Sequence, residues 1–427
     1  MKNTQHQLHD ITVYSVSMID TIIQKMKACW LVALTTLGIQ GAWAQQDSLR
    51  IRLDSLLQAP MFETSQVGVM VYDLTADSVY YQHNARQMMR PASTMKLVTA
   101  ITALDRLGGG YDFRTRLYHT GVIVNGRLNG DLYCVGGFDP MVTKDDVQAM
   151  VRQLHQLGVD TLKGHIYADC SMKESVDYGE GWCWDDDNPR LKPLMIGRKD
   201  TFLDTFVEEL FNDSIYVEQI ELGEGHCPAN AILAVQQSHS MDQVLQRMMK
   251  MSDNYYAEAM FYQIAASTGR RMAKASDARG VVKQLISRLG LGSQPYKIAD
   301  GSGLSLYNYV SAELETMLLR YAWLHAHVYD HLYPALPIAG VDGTLEKRMT
   351  KTLAEGNVRA KTGTLTGISS LAGYCTAENG HQLCFSIINQ GVMRGTDGKN
   401  FQDSFCRVLC GEKPEQQAAQ PRRGKRR

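Results

Sequence analysis

Three short stretches of the chain carry residues that can do covalent chemistry. Ser93 and Lys96 stand three apart in Ser93-Thr94-Met95-Lys96. On a helix this spacing puts both side chains on one face, a turn apart, and a serine at the helix start lies at the positive end of the dipole. A lysine amine there can take the serine proton, provided that burial or nearby cations lower its pKa. Ser252-Asp253-Asn254 supplies a second hydroxyl and a carboxamide. Lys361-Thr362-Gly363-Thr364 supplies a second ammonium, two hydroxyls and a glycine that lets backbone come close to a ligand. The second ammonium is expected to help depress the first. Together these groups suit a serine nucleophile with a lysine base and require neither metal nor organic cofactor.

Each stretch alone says little. At average composition a chain of this length holds about one S-x-x-K and one S-x-N by chance, and roughly a tenth of a K-T-G. Singly, Ser93 reads as a helix-start cap, Asn254 as a solvated helix residue and Lys361 as a strand-edge lysine. Their joint occurrence, with the first opening a helix and the third leading into a strand, is far rarer. Other hydrolytic devices are missing: no G-x-S-x-G elbow and no H-E-x-x-H pair occurs. His327 and His331 are four apart on an expected helix, but without a carboxylate set they read as a solvated face.

The elements that must hold these groups follow from periodicity. Val67 to Tyr72 is apolar enough for a buried strand, and Ser78 to Gln82 follows as its hairpin partner. A helix is expected from Pro91, with apolar positions at 97, 98, 101, 104 and 107, ending at Gly108-Gly109-Gly110. From about Thr115 to Cys227 the texture is β-rich, with Val122 to Val124 and Leu128 to Val135 read as a hairpin and its continuation. Thr143 to Asp146 resembles a capping box opening a helix that closes at Gly158. Helical periodicity then runs from Met241 to Ala266 and from Ala312 to Leu324, and strands return at Ser370 to Cys375 and Leu383 to Asn389. A two-residue turn at Asn379-Gly380 would set Cys375 opposite Cys384.

Length and composition bound the rest. A chain of 427 residues with 44 Lys plus Arg against 45 Asp plus Glu is long enough for two or three domains and too balanced in charge for nucleic-acid binding. Lys25 and Lys27, the apolar run from Ala28 to Ile39 and Ala42-Trp43-Ala44 read as a secretory signal over residues 1–44, cleaved after Ala44, with Met26 as the true initiator. A periplasmic location without a transmembrane anchor is expected, because no apolar stretch of about 18 residues follows. Removing Cys29 with the signal leaves eight of the nine cysteines, and buried free thiols are favoured over a strained cross-strand disulfide. Residues 412–427 read as an unfolded basic tail.

Longer stretches carry a family resemblance. Arg90 to Leu97, Gly136-Gly137-Phe138-Asp139-Pro140, Ser252 to Glu258, Asp300 to Ser305, Leu336 to Leu345 and Lys361 to Thr364 together resemble the low-molecular-mass class C penicillin-binding proteins, the D-alanyl-D-alanine carboxypeptidase/endopeptidase family. The resemblance covers about residues 50 to 410. It implies an α+β, β-lactamase-like transpeptidase fold, with helices packed on an antiparallel sheet. The peptidase domain would comprise residues 45–114 and 231–411, interrupted by an inserted β-rich domain over 115–230.

The resemblance also implies roles. Ser93 would attack the carbonyl between two D-alanines of a peptidoglycan stem peptide, Lys96 would be its base, and Ser252 would relay the proton to the leaving amine. Backbone N–H groups of Ser93 and Thr364 would stabilise the oxyanion, and Asn254 would hold the substrate amide. Lys361, Thr362, Gly363 and Thr364 would line the site for the terminal carboxylate or its β-lactam equivalent. Asp139 is a candidate partner of the substrate's free amine, with a turn role before Pro140 as the alternative. Leu306 stands where family members often have a basic residue facing the far end of the stem peptide. β-Lactams would act as covalent inhibitors. The rival readings are a β-lactamase or esterase of the same fold, and a wall-binding protein without activity. The glutamates between Asn254 and Lys361 open no E-x-x-L-N segment, and Ser252 stands where class C β-lactamases place a tyrosine.

Overall fold

A computed structural model describes residues 49–186, 188–218, 221–292 and 295–412. The expected signal segment, and the expected tail beyond Glu412, lie outside them. Residues 49–56 are helical, and all other elements lie in the unit formed by residues 59–427.

The chain enters through the hairpin β1 (Gln66–Asp73) and β2 (Ser78–His83) and then passes to helix α1 (Met95–Leu107). Nine short strands and two helices follow: β3 (Asp112–His119), β4 (Val122–Val124), β5 (Arg127–Asn129), β6 (Leu132–Gly136), α2 (Lys144–Gln156), β7 (Thr161–Leu162), β8 (Ile166–Asp169), α3 (Phe202–Asn212), β9 (Tyr216–Val217), β10 (Leu222–Glu224) and β11 (Ile232–Ser240). Five helices come next: α4 (Met241–Lys250), α5 (Asn254–Ala266), α6 (Ala275–Arg288), α7 (Ala312–Leu324) and α8 (Ala326–Ala335). The strands β12 (Arg359–Leu365), β13 (Ile368–Thr376) and β14 (Gln382–Gln390) and helix α9 (Gly395–Leu409) close the fold.

The first sheet is antiparallel in the order β12-β13-β14-β1-β2. Its central strands are buried along nearly their whole length, because helices cover both faces. Ala372, Tyr374, Cys384 and Ile388 face the helical core, where α7 packs on β14 and β1. On the opposite face Gln402 of α9 donates to Ser369 Oγ at 3.0 Å and Asn389 Oδ1 at 3.3 Å. The expected α+β architecture, helices on an antiparallel sheet, is the observed one.

Residues 112–240 build two further sheets, ordered β10-β8-β6-β3-β11 and β4-β5-β7-β9, around a separate apolar core that includes Leu117, Val151, Ile166 and Phe206. The expected capping box opens α2: Asp146 N–H donates to Thr143 Oγ1 at 3.2 Å, and Thr143 N–H donates back to Asp146 Oδ2 at 2.8 Å. β3 and β11 are neighbours with Asp112 opposite Ser240, and Met241 N–H donates to Tyr111 O at 2.8 Å. A long segment between β8 and α3 returns to the helices. There Trp182 Nε1 donates to Asp300 at 2.8 Å, and Tyr255 OH donates to Lys192 O at 3.1 Å.

Three expectations of local structure are corrected. Leu128 to Val135 is not one strand: β5 and β6 belong to different sheets, and the chain crosses over at Gly130, where a Cβ would lie 1.9 Å from Thr120 O. The helical run from Met241 to Ala266 is broken at residues 251–253, and Ser252 adopts φ +60°. The β13–β14 hairpin pairs Cys384 with Tyr374 and Cys375 with Leu383. Its turn has three residues, with Ala377 N–H donating to His381 O at 2.9 Å and Gly380 at φ +83°, a type I turn plus left-handed glycine rather than a two-residue turn. One residue of slip puts the two cysteines on opposite faces. Both thiols are free.

Candidate active site

Ser93 does not lie in α1 itself. It occupies a tight 3-10 turn, Ala92–Thr94, that leads into it, and Ala92 adopts φ +50°. A non-glycine residue in that region is strained and persists only when its surroundings fix it. Here Pro91 O accepts from Thr94 Oγ1 at 2.8 Å and from Ser370 Oγ of β13 at 2.5 Å, so the turn is bolted to the sheet. β12 lies directly against it. A Cβ on Gly363 would stand 2.7 Å from Pro91 O and 2.9 Å from Ser93 N. The close approach that this glycine permits is therefore to the nucleophile turn of the protein itself.

Lys96 is fully buried on the first turn of α1. Its Nζ lies 2.9 Å from Ser93 Oγ, 2.7 Å from Asn254 Oδ1 and 2.8 Å from Ser302 O. Burial lowers its pKa to about 8, against the opposing pull of Asp300, Glu258 and Asp253. Lys361, also fully buried, points from β12 at Ser252, with Nζ 2.8 Å from Ser252 Oγ and 2.7 Å from Thr362 O. Burial pushes its pKa well down, and the charge of Lys96 adds to the effect. Repulsion between two ammonium groups is mutual, so each lysine favours the neutral form of the other.

The break between α4 and α5 presents the second motif. Asp253 caps α5, accepting from Tyr255 N–H at 3.1 Å, and leaves Ser252 and Asn254 on either side. Because a lysine can only donate, Asn254 must turn Oδ1 to Lys96. Its Nδ2 then faces Asn188 Oδ1 at 3.3 Å. Thr362 Oγ1 donates to Thr344 Oγ1 at 2.8 Å, while Thr364 is exposed on β12 opposite Ser369. Ser93, Lys96 and Asn254 therefore form one hydrogen-bonded group and Ser252 and Lys361 a second, close enough for the Lys96 charge to act on Lys361, with Thr362, Gly363 and Thr364 on the strand beside them.

Asp139 is not brought into this group. It is buried, with Oδ2 2.7 Å from His239 Nδ1 and Oδ1 accepting from Met141 N–H at 3.0 Å. Leu306 is half-exposed, and its carbonyl accepts from Arg90 Nε at 2.8 Å. Among the described residues no group of three or more His, Cys, Asp or Glu is placed to hold a metal, and His331 pairs with Asp242 at 2.6 Å. Sequence reasoning missed Ser302, Asn188, Thr344 and Glu258 as neighbours of the site. Glu258 was findable, lying one helical turn after Asn254. Asn188 comes from a loop with no periodicity to announce it.

A buried serine–lysine pair at a turn, a second serine–lysine pair facing it, and helices on an antiparallel sheet define a serine-type enzyme of the penicillin-binding class. The model of the D-Ala-D-Ala carboxypeptidase 3 (S13) family matches residues 49–196 and 194–410, and the chain belongs to that family. It is 28% identical to a D-alanyl-D-alanine carboxypeptidase of Actinomadura sp., over 84% of this chain and 85% of that protein. It is 26% identical to the D-alanyl-D-alanine carboxypeptidase DacB of Haemophilus influenzae, over 78% of this chain and 87% of that one. The fold matches the crystal structure of penicillin binding protein 4 (dacB) from Haemophilus influenzae with a TM-score of 0.71 at 24% identity, covering 80% of this chain and 94% of that chain. A predatory peptidoglycan endopeptidase from Bdellovibrio bacteriovorus matches at a TM-score of 0.52 and 15% identity, over 76% and 86% of the two chains. The enzyme is thus a hydrolase of the carboxypeptidase type.

Proposed function

We propose that this protein removes the terminal D-alanine from peptidoglycan stem peptides through an acyl-enzyme on Ser93. The observation that carries this reading is the set of three oxygens around Lys96. A neutral lysine has two N–H bonds and one lone pair. Asn254 Oδ1 and Ser302 O can only accept, so they take both N–H bonds, and the lone pair is left for Ser93, the one partner with a proton to give.

The chemistry then follows. The Ser93 hydroxyl oxygen bonds to the carbonyl carbon of the penultimate D-alanine as its proton passes to Lys96 Nζ. Negative charge grows on the carbonyl oxygen, where the N–H groups of Ser93 and Thr364 receive it. Collapse breaks the C–N bond, and the proton reaches the leaving amine through Ser252, which Lys361 holds in place. Lys361, Thr362 and Thr364 receive the terminal carboxylate, Asn254 Nδ2 meets the substrate amide, and water cleaves the ester. A β-lactam would enter the same sequence and stop at the ester. Asp139 has no part in this reading, because its carboxylate is already engaged.

Export to the periplasm fits the sequence of residues 1–44 and the wall substrate. Residues 112–240, a little wider than the expected 115–230 because the entering and returning strands belong to the same sheet, are read as a unit inserted into the peptidase body, supported by their own core and by those adjacent strands. The test is labelling by a fluorescent penicillin alongside release of D-alanine from a D-Ala-D-Ala peptide. Stoichiometric, slowly reversed labelling with D-alanine release is expected. Rapid turnover of penicillin without any D-alanine release would favour a β-lactamase instead.

A further inference from the structure

Behind Lys96 stands a buried acid that the reaction above leaves without a role. Glu258 lies four residues after Asn254 on α5, so the two side chains share a helix face. It is 1% exposed. Its Oε1 accepts two adjacent backbone N–H groups, from Gly301 at 3.0 Å and Ser302 at 2.8 Å. The carbonyl of that same Ser302 accepts from Lys96. Thr99, on α1 beyond Lys96, donates to Gly301 O at 2.6 Å.

The turn has no room to settle elsewhere. Asp300 accepts from Gly303 N–H at 2.8 Å, Ser305 N–H at 2.7 Å, Asn308 Nδ2 at 2.7 Å and Trp182 Nε1 at 2.8 Å. Gly303 adopts φ +82°, and a Cβ there would lie 1.8 Å from Ala92 O in the nucleophile turn. Gly301 presses on Phe261 of α5, where a Cβ would stand 2.5 Å away. The segment is a wedge between α5 and the Ser93 turn: Glu258 holds the two peptide planes that lead into Ser302, and Asp300 holds the next one, which carries the Ser302 carbonyl, through Gly303 N–H.

We propose that Glu258 is a positioning residue for Lys96. By anchoring the N–H groups of Gly301 and Ser302 it fixes where Ser302 stands, and so the place of one of the two acceptors that aim the lysine lone pair at Ser93. This rests on the reading of Lys96 as the base. The charge of the Glu258 carboxylate acts in addition, since an anion beside an ammonium holds its proton on. Burial and the neighbouring Asp300 raise the Glu258 pKa to about 8, opposed by Ser302 and Lys96. The charged groups facing this pair are Asp300 of the wedge, Asp253 at the start of α5 and Lys361 of β12. Arg279 of α6 and Glu174 and Glu180 line the same 140 Å³ cavity as Glu258.

The experiment compares Glu258→Gln, Glu258→Ala and Lys96→Ala with the wild-type chain. Acylation by a fluorescent penicillin is followed from pH 6 to pH 10, together with kcat and KM on a D-Ala-D-Ala peptide and circular dichroism as a check of fold. Glu258→Gln keeps an acceptor oxygen for the two N–H groups but no charge. Its acidic limb should move to lower pH by about half a unit or more, with the plateau rate within about tenfold of wild type. Glu258→Ala should lower kcat and acylation by at least about 100-fold with KM within about threefold. Wild-type kcat and acylation in folded Glu258→Ala would overturn the proposal, as would a loss in that variant confined to KM or an unmoved limb in folded Glu258→Gln. If Glu258→Ala does not fold, the limb of Glu258→Gln decides alone. Normal acylation by Lys96→Ala would remove the base itself, a separate failure from that of Glu258.

Discussion

Two buried lysines in this protein have the same lowered pKa and very different surroundings. Lys96 and Lys173 are both brought to about 8, each chiefly by burial. Lys173 lies in the segment that follows β8, 3% exposed, with Nζ 2.6 Å from Glu174 O, 2.7 Å from Val176 O and 4.8 Å from the centre of the Tyr262 ring. All its partners accept, and none has a proton to give. Lys96 has two such acceptors and one hydroxyl. Desolvation makes a lysine easier to deprotonate, but only a donor in reach of the lone pair makes it a base.

The sharpest break of this contrast is at the hydroxyl. Ser93→Ala should abolish penicillin labelling and D-alanine release with the fold retained, as gel fluorescence and circular dichroism would record. Labelling above background would remove Ser93 from the chemistry. Lys96→Ala should follow, lowering acylation by roughly 1,000-fold, whereas Lys173→Met should stay within about threefold of wild type. A large loss in Lys173→Met with intact fold would mean that a hydroxyl within reach of the lone pair is the wrong distinction between the two lysines.

Gly363→Ala tests the packing that brings the Ser93 turn to the strand. The added methyl must displace Ser370 or the turn itself, which should cost about 1–3 kcal/mol in urea unfolding and at least about tenfold in acylation. Dependence on pH gives a smaller effect. Lys96 is active when neutral, so acylation should rise with pH and level off above about 8, with the acidic limb unchanged in Lys173→Met. Smallest is the linkage to stability. A lysine whose folded pKa is near 8 and whose unfolded value is 10.5 penalises folding fully below pH 8, and the penalty fades as pH rises to 10.5. Thermal midpoints should therefore gain less between pH 8 and pH 10 in Lys173→Met than in wild type.

The reacting groups were legible because local spacing writes them. A spacing of three from Ser93 to Lys96 fixes a one-turn separation, and the Lys361-Thr362-Gly363 run fixes which group faces which side of a strand. The contacts between the motifs were not legible, since they cross 109 and 158 positions of sequence. The break at Ser252 escaped because apolar periodicity continues on both sides of it, and only the backbone angle of one residue records the interruption. In the β13–β14 hairpin, Asn379-Gly380 signals a turn but not its length, and one extra residue exchanged the faces of Cys375 and Cys384. An Asp before Pro could not be told from a ligand until His239, 100 positions away, was seen to hold it.

The meeting of Tyr111 and Met241 has a practical consequence. These residues are a single backbone hydrogen bond apart although 130 positions separate them in the chain. They mark a splice point, where everything between could be exchanged for a short linker or a reporter domain with little loop to close. Such an excision would also cut the moorings of this segment on the helices, among them Trp182 on Asp300 and Asn188 on Asn254, so a shortened enzyme would lose those holds on its catalytic wedge and its carboxamide.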